Sequence, residues 1–573
     1  MYNYRILSTA TAVRALAAAI ALAVLPGLSD NPSAQANQPG YSPVWESTPC
    51  RHQLAAGSTT LCGYLVVPER REAPNGPTIK VYHIIMPAQN GSKSEIPLMY
   101  LTGGPGASTA GAVELFELRA GPAAIYRQKF GDTRDLIIVD QRGTNQSIPA
   151  LYCNDEVGPL RPTVYRSDFS QASALRVQAL GQCRDRWIRQ GVNLSGFDDY
   201  EAAADVRDFL AARGIRRTNL YGASWGTRLA MQVMKLYPEL VNAVVLDSVL
   251  PPELNPFIAE VQGTQHAIKA LIDNSRSGYP QIESYIATIL QRLQAAPVKV
   301  VAYSGTGGAC TPPPPGSVPN SVPYVVNVTG DKFIDYLANQ LRLTPYCSNL
   351  PKDIKDMFDK QKYELVAANW ISSMDFSFSA TGPSGGAPAD AMFQSVFAAN
   401  DAFYARPSDV LDNIARSVTD PSLADWLANS FIYREPSMMR TWPVDPMAAS
   451  VRLPVVSSIP TMMLVGALDP ATPAIFSRPS EAGLSNHVYY EIAAGHATAF
   501  LPCVLNMLNA WFQKPGVAPG NQCTQTYTWD PPASSTSTLL ESRGAAETLP
   551  LTAAGFTLER GVVVRRPTNP SRR

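Results

Sequence analysis

The chain has 573 residues, of which 45% are hydrophobic and 16% are charged, with 47 basic and 47 acidic side chains. This composition is typical of a globular protein with a sizeable core and excludes a wholly disordered chain. A formal net charge of zero supplies no long-range positive field for phosphates, so no nucleic-acid partner is expected. The length favours several domains, or one large domain with an insertion.

The first 36 residues have the pattern of an export signal. Arg5 and Arg14 supply positive charge, residues 15–25 are apolar, and residues 34–36 are Ala-Gln-Ala, a small-x-small cleavage site. The apolar run is too short to cross a bilayer, which takes about 20 residues. We therefore predict that residues 1–36 are a cleaved signal peptide and that the mature protein is secreted or periplasmic, without a membrane span. An uncleaved anchor is the alternative.

Eight cysteines, an even number in a chain predicted to be exported, indicate disulfides. They fall into four couples of neighbours along the chain, so pairing within each couple is the simplest expectation, although the sequence alone cannot choose a connectivity. The absence of Cys-x-x-Cys argues against a zinc ribbon or a thioredoxin-like site. The cysteines are Cys50, Cys62, Cys153, Cys183, Cys310, Cys347, Cys503 and Cys523.

Between residues 37 and 251, short apolar runs alternate with helical patterns. Two helices are predicted from apolar side chains at helical spacing, over residues 198–213 and 227–237. Strands alternating with helices predict an α/β fold, a mainly parallel sheet with helices on both faces. The predicted strands cover residues 63–68, 79–86, 97–101, 136–139, 219–221 and 243–246.

The pattern changes after residue 251. Residues 252–451 are mostly helical in periodicity, and strands resume at residues 461–465 and 487–492. A large helical cap inserted into one core, formed by residues 37–251 and 452–523, explains why the strands resume; two independent domains in series do not. Residues 524–573 form a C-terminal extension with one possible strand near residues 556–564.

The segment 222–226, Gly-Ala-Ser-Trp-Gly, matches the Gly-x-Ser-x-Gly pattern around Ser224. A second match surrounds Ser384, but it lies in a Gly/Pro/Ser loop without a strand before it or a helix after it. Ser224 lies between a predicted strand and a predicted helix, as a nucleophile elbow requires. Small residues at 222 and 226 permit the tight turn, and the helix N-terminus favours developing negative charge. The alternative is an ordinary serine at a helix start.

Among the five histidines, His496 has the position expected of a base for Ser224. A base should follow a late core strand, and His496 follows the predicted strand 487–492. A solvated loop histidine is the alternative interpretation. The remaining histidines lie in the N-terminal loop, in or at the start of a strand, or in the insertion: His52, His83, His487 and His266.

Asp469 is the predicted acid because it follows the strand 462–465 and precedes His496. The order Ser224, Asp469, His496 is the one expected of this kind of elbow. Asp247, just past the strand after the nucleophile helix, is the rival acid. A turn aspartate before proline is the alternative for Asp469.

An oxyanion hole needs two backbone N–H groups aimed at the developing charge. We expect one from Trp225 and the other from Gly104, within the loop 102–106, Thr-Gly-Gly-Pro-Gly. A phosphate-binding loop is disfavoured because neither Gly-Lys-Ser/Thr nor dinucleotide-binding glycine spacing follows. No His-Glu-x-x-His or similar cluster suggests a metal, and we expect no cofactor.

Together these motifs resemble the tripeptidyl aminopeptidase and prolyl iminopeptidase group of α/β-hydrolases, over about residues 45–523. The resemblance implies the α/β-hydrolase fold, a cap that closes over the substrate, and an exported peptidase that removes short units or proline from peptide N-termini. It also implies the pairs Cys50–Cys62 and Cys503–Cys523. The segments that carry it are residues 103–106, 140–144, 221–227, 466–473 and 495–496.

Two departures from this group stand out. Asn145 follows Asp-Gln-Arg-Gly-Thr where the group usually has glycine. In the segment 392–401, Asn400 replaces a glutamate that in the group is expected to hold the substrate's ammonium, an interaction of roughly 1.5–3 kcal/mol. Candidates for this role are therefore Asp401, Asn400 and Glu435, with Asp390 as a further acid.

Three hypotheses follow. The first is an exopeptidase acting on small peptides through Ser224, His496 and Asp469. The second is a carboxylic ester hydrolase with the same triad, favoured by the neutral side chain of Asn400. The third is a binding module on a retired hydrolase scaffold, against which the complete set of three residues argues. The oligomeric state is left open.

Overall fold

The computed structural model describes residues 40–51, 58–89, 96–107, 131–304, 321–344, 349–378, 389–406, 442–496 and 501–521, together with a few single positions and the backbone of residues 549–551, 556–559 and 562–565. The chain divides into two units, residues 1–42 and residues 43–573. Only residues 40–42 of the first unit are described, and they form no helix or strand.

One sheet of nine strands organises the described part of the second unit, in the order β1-β2-β3-β5-β4-β6-β7-β10-β11. The strands from β5 to β11 are parallel, whereas β1, β2, β3 and β5 pair antiparallel in succession. The predicted mainly parallel sheet is confirmed; β1 and the antiparallel edge were not predicted. The strands are β1 Val44–Thr48, β2 Leu61–Pro68, β3 Thr78–Met86, β4 Leu98–Leu101, β5 Leu136–Asp140, β6 Thr218–Ala223, β7 Val241–Asp247, β10 Thr461–Gly466 and β11 His487–Ile492.

The parallel strands are buried on both faces, as their continuous apolar runs predict. All residues of β5, β6 and β10 are buried. The helices that accompany the sheet include α2, whose N-cap Asp198 accepts a hydrogen bond from the Glu201 N–H at 2.8 Å. The longer helices are α1 Phe169–Arg189, α2 Asp199–Ala212, α3 Trp225–Leu236, α4 Pro256–Ser275, α5 Ile282–Ala295, α6 Gly330–Arg342, α7 Leu350–Lys360, α8 Glu364–Ser377, α9 Asp390–Asn400 and α10 Pro502–Gln513; four-residue helices cover Asn154–Val157, Arg161–Val164 and Ala474–Ser477.

The predicted insertion, residues 252–451, contains helices α4 to α9 and also a hairpin that was not predicted. Strands β8 (Val298–Tyr303) and β9 (Pro323–Val328) pair antiparallel. Buried and exposed side chains alternate along β9, the period-2 signature of a half-buried strand. This alternation was overlooked because helical periodicity dominates the surrounding sequence.

Three disulfides join neighbouring cysteines among the residues that the structure describes: Cys50–Cys62, Cys153–Cys183 and Cys503–Cys523. The predicted neighbour pairing is confirmed for these three couples, whereas Cys310 and Cys347 lie outside the described residues. No helix in the described part of the chain is long and apolar enough to span a bilayer.

The C-terminal extension differs from its prediction. Residues Leu549–Leu551, Phe556–Glu559 and Val562–Arg565 form a three-stranded antiparallel sheet where a single strand was expected. We label them β12, β13 and β14. The run predicted as one strand is two strands, because Phe556–Glu559 and Val562–Arg565 pair antiparallel.

Candidate active site

Ser224 forms a sharp turn between the end of β6 and the start of α3. Its backbone has φ 56° and ψ −125°, an unfavourable conformation for a residue with a Cβ. The turn is held by the Ser224 N–H, which donates to the Asp247 carbonyl at 2.8 Å, and by the Thr227 N–H, which donates to the Ser224 carbonyl at 2.9 Å. This is the geometry of a nucleophile elbow.

Two glycines make this turn possible. A Cβ at Gly222 would meet the backbone of Gly226, and a Cβ at Gly226 would meet the carbonyl of Leu101 on the neighbouring strand β4. The structure therefore agrees with the prediction that small residues at positions 222 and 226 permit the tight turn. The second Gly-x-Ser-x-Gly match, around Ser384, lies outside the described residues.

His496 and Asp469 come together at the carboxyl ends of β11 and β10. The His496 Nδ1 atom lies 2.8 Å from Asp469 Oδ2. The side chain of His496 is 8% exposed and that of Asp469 is fully buried. Because parallel strands end at the same edge of a sheet, two residues 27 apart in sequence meet in space.

The Asp469 carboxylate is surrounded by donors. Its Oδ1 accepts from the Ala471 N–H at 2.8 Å and its Oδ2 from the Thr472 hydroxyl at 2.7 Å. Burial alone would raise the pKa of Asp469, but His496, Thr472 and the Ala471 N–H together hold that pKa at about 2. The carboxylate is therefore ionised across the neutral range, as a group that stabilises an imidazolium must be.

The other ring nitrogen of His496 has no partner. Its Nε2 atom is buried and makes no hydrogen bond to any described residue, Ser224 included. Catalytic hydrogen bonds are often not closed in unliganded enzymes. The Asp469 contact at Nδ1 leaves Nε2 as the nitrogen available to accept a proton.

The glycine-rich loop lies directly against the nucleophile. A Cβ placed on Gly103 would be 2.8 Å from the Ser224 Cβ and 3.4 Å from its Oγ, and Gly104 has a φ of +111°. The Gln141 side chain donates to the Thr102 carbonyl at 2.9 Å and so holds the start of this loop. The structure thus places the loop that contains Gly104 beside Ser224, which Trp225 follows directly in the chain.

Comparison with known proteins gives two family matches. Residues 96–271 match the family model described as alpha/beta hydrolase fold, and residues 426–523 match the one described as TAP-like protein. The chain therefore has the α/β-hydrolase fold, and its residues 426–523 resemble the TAP-like family. The family resemblance predicted from the motifs is therefore confirmed.

Individual relatives match this α/β-hydrolase over part of their length. Serine protease Hip1 of Mycobacterium tuberculosis is 29% identical over 230 residues, which are 38% of this chain and 42% of that protein. Tripeptidyl aminopeptidase of Streptomyces coelicolor is 28% identical over 195 residues, 33% of this chain and 35% of its own. The chain thus spans less than half the length of these curated relatives.

Among solved structures, proline iminopeptidase of Mycobacterium smegmatis is 12% identical, with 79% of this chain and 98% of that chain covered at a TM-score of 0.34. The fold assignment rests on the family matches and on the sheet described above.

Asp247, the alternative to Asp469 as the catalytic acid, forms a different set of hydrogen bonds. Its Oδ2 accepts from the Tyr221 hydroxyl at 3.0 Å, and its Oδ1 accepts from the Thr498 N–H at 2.9 Å and from the Thr498 hydroxyl at 3.0 Å. It therefore contacts the loop two residues after His496, whereas Asp469 contacts the ring of His496 itself. The geometry favours Asp469 over Asp247 as the partner of the histidine.

Residues 140–145, which begin at the end of β5, are held in place by buried hydrogen bonds. The fully buried Arg142 guanidinium makes two 2.7 Å hydrogen bonds to Asp205 of α2. Asn145 has a φ of 43°, which explains why glycine is usual there and why asparagine, a residue that tolerates this region, can replace it. Its side-chain amide donates to Asp140 Oδ2 at 2.7 Å.

Residues at the two ends of helix α9 contact two core segments of the site, the glycine-rich loop and α3. At its start, the Ala389 N–H donates to the Gly106 carbonyl of the glycine-rich loop at 2.9 Å. At its end, Asp401 forms a buried ion pair with Arg228 of α3, with a shortest distance of 2.6 Å. The helix therefore links the glycine-rich loop to the helix that begins at the nucleophile.

The predicted amino-group candidates have different surroundings. Both oxygens of Asp401 face Arg228, at 2.6 Å and 3.4 Å, and Asp390 is paired with Arg176 of α1. Asn400 is 2% exposed, and its amide oxygen lacks a partner among the residues described. Glu435 lies outside the described residues.

Sequence reasoning missed Asp199, the first residue of α2. It is 1% exposed and interacts with Arg228, Asp401, Asn400 and Trp225. Burial is the main reason that its pKa is raised, to about 6. An acidic residue in the first turn of a helix is ordinary in a sequence, so only the packing of three distant segments reveals it. The described residues contain no cluster of potential metal ligands.

Proposed function

We propose that the chain is an exported serine peptidase that removes short units from the free amino end of peptides through an acyl-enzyme. Ser224 Oγ attacks the scissile carbonyl carbon and His496 Nε2 takes its proton. The Trp225 and Gly104 N–H groups stabilise the resulting oxyanion. The carbon–nitrogen bond then breaks as His496 returns the proton to the leaving amine, and water hydrolyses the acyl-enzyme by the same route.

The observation that carries this proposal is the orientation of His496. Its Nδ1 is occupied by Asp469, whose carboxylate has a pKa of about 2, and its Nε2 is buried without a partner in the part of the chain that is described. An imidazole held in this way can accept a proton at Nε2, and we assign Ser224, the serine of the elbow, as the hydroxyl that supplies it. The names of the relatives, a serine protease and a tripeptidyl aminopeptidase, support a peptide substrate.

Ester hydrolysis is the second candidate, favoured by one observation. Asn400 is neutral, and the acids Asp401 and Asp390 that might replace its charge are paired with arginines. An enzyme without a free acid for the substrate's ammonium would show no preference for a free amino end.

The test compares matched substrates on the full-length protein. We would measure kcat/KM for tri-alanine p-nitroanilide, for its N-acetylated analogue and for a p-nitrophenyl ester, with Ser224→Ala as control. A preference of about a hundredfold for the free amine over the acetylated amide, or roughly 2.7 kcal/mol, supports the aminopeptidase. Turnover of the ester alone, without amine preference, replaces it with an esterase.

Export is tested separately. The N-terminal residue of protein recovered outside the cytoplasm of the expressing cell should follow Ala36 if the predicted signal peptide is cleaved. An intact N-terminus on exported protein would indicate an anchor instead.

A further inference from the structure

A buried group of polar side chains lies beside the proposed nucleophile and is used by no step of the proposed reaction. Asp199 begins α2, Trp225 follows Ser224 at the start of α3, and Asn400 ends α9. Each of the three residues is at most 2% exposed. Residues from three helices thus meet next to the catalytic segment.

The polar atoms of this group are only partly satisfied by one another. Asp199 Oδ1, Trp225 Nε1 and both amide atoms of Asn400 make no hydrogen bond of regular geometry to the residues that the structure describes. Hydrogen bonds of poorer geometry from the Trp225 and Asn400 side chains to Asp199 lower the pKa of its carboxyl, which leaves the Asn400 amide oxygen as the acceptor without a described partner. Burying unpaired polar atoms is costly, and the arrangement is explained if a further polar group fits between them.

The charges of the group favour a cation. Asp401 is paired with Arg228 at 2.6 Å, and Asp199 is a second carboxylate facing the same guanidinium. Two carboxylates and one guanidinium leave one negative charge without a partner. Glu253 and Arg452, which also interact with this ion pair, add one charge of each sign and leave the balance unchanged.

We propose that Asp199, together with the Asn400 amide oxygen, binds the protonated amino terminus of the peptide substrate. An ammonium carries three donors and one positive charge, which match the Asn400 amide oxygen, the Asp199 carboxylate and the one uncompensated negative charge. The inference rests on the proposed aminopeptidase activity and names the residues that would make it amine-selective. The carboxylate comes from the core helix α2, and Asn400 acts as a neutral acceptor in place of the acid expected there.

The decisive measurement is a ratio of rates. We would determine kcat/KM for tri-alanine p-nitroanilide and for its N-acetylated analogue in the wild type, in Asp199→Asn and in Asp198→Asn. Asp198 is the matched control, because it is an adjacent buried acid whose pKa is also raised and whose capping role asparagine preserves. The ratio should fall about 10- to 100-fold in Asp199→Asn, the usual effect of losing a charge-assisted hydrogen bond, and stay high in Asp198→Asn.

The possible results distinguish a failure of this inference from a failure of the proposed function. If the wild type shows no preference for the free amine, the aminopeptidase proposal itself fails. If the preference exists but survives Asp199→Asn, or is lost equally in Asp198→Asn, the activity stands and this site is wrong. If Asp199→Asn does not fold, as judged by circular dichroism, Asn400→Leu takes its place and should lower the same ratio.

Binding without chemistry gives an independent readout. In a Ser224→Ala background, calorimetry would compare tri-alanine amide with its N-acetylated form at pH 7.5 and pH 5. Asp199 faces Arg228 from α3 and Asp401 from the end of α9, and its carboxylate gains a proton as the pH falls through about 6, while the peptide amine stays charged. The free amine alone should therefore bind more weakly at pH 5. Equal pH dependence for both peptides, or the same dependence with Asp199→Asn added, would overturn the assignment.

Discussion

Asp469 and Asp199 are both buried carboxylates near the same serine, at 0% and 1% exposure, yet burial has opposite outcomes for them. Asp469 accepts hydrogen bonds from two backbone N–H groups and from Thr472, and contacts His496, so its pKa falls to about 2. Asp199 has an oxygen that makes no hydrogen bond of regular geometry to the described residues, and its pKa rises to about 6. Burial raises the pKa of both carboxyls; His496 and the hydrogen bonds outweigh it at Asp469, whereas at Asp199 the attraction to Arg228 is opposed by the like charge of Asp401.

The difference separates two kinds of site. The Asp469 surroundings are complete in the unliganded protein, as a preorganised catalytic group requires. The Asp199 surroundings are incomplete, as a binding group is before its ligand arrives. Four predictions test this contrast, beginning with the reaction that the complete site is proposed to support.

Ser224→Ala should have the largest effect. Removing the nucleophile leaves only the oxyanion hole and substrate binding, so kcat should fall by about 10⁴-fold or more. Ser384→Ala, at the second Gly-x-Ser-x-Gly match, is the control and should keep wild-type kcat. Comparable losses in both variants would mean that neither motif alone defines the site.

Asp469→Asn should lower kcat by roughly 10³- to 10⁴-fold, because asparagine does not hold the imidazole in the same tautomer or stabilise its charge. Asp247→Asn should cost much less, about tenfold, since Asp247 contacts the loop at Thr498 and not the histidine ring. Steady-state kinetics on the free-amine nitroanilide decides between them. A larger loss for Asp247→Asn would reverse the assignment of the acid.

Thr472→Val should lower kcat by about tenfold. The variant removes the hydroxyl that donates to Asp469 Oδ2 at 2.7 Å, and a hydrogen bond to a charged group contributes about 1.5–3 kcal/mol, part of which is felt in the transition state. Thr472→Ser retains the hydroxyl and should retain most of the activity. Equal losses in the two variants would point to packing instead.

Asp199→Asn should stabilise the fold at neutral pH. A carboxyl whose pKa is about 6 in the folded protein and 3.8 as a reference destabilises the fold once ionised, by about 1–3 kcal/mol. The penalty grows between pH 4 and pH 6, is complete above pH 6 and is absent below pH 4. Urea unfolding should therefore show a gain at pH 7.5 that disappears at pH 4; an equal gain at both would exclude titration as its cause.

The predictable parts of the molecule are those encoded locally. A strand, a turn and a helix were predicted around Ser224, and a strand was predicted before each of Asp469 and His496. Because parallel strands end at one edge of a sheet, these elements indicated that the three residues lie close together. Asn145 was flagged as a departure, and its positive φ supplies the reason.

Contacts between residues that are far apart in the chain could not be predicted from the sequence. The Arg228–Asp401 ion pair joins residues 173 apart, and the meeting of Asp199 with Asn400 depends on how α9 packs on α2 and α3. No periodicity or spacing encodes such contacts, so Asp401 was a reasonable candidate for the amino group and Asp199 was not considered. The hairpin β8–β9 was missed because helical periodicity dominates the sequence around its two strands, which are also far apart in the chain.

The most direct test of the central claim is covalent labelling of the folded, full-length protein with a fluorophosphonate, followed by peptide mass spectrometry. We predict one modified serine, Ser224, with labelling abolished by Ser224→Ala and unchanged by Ser384→Ala. A folded protein that remains unlabelled, or that carries the label at another serine, would contradict it.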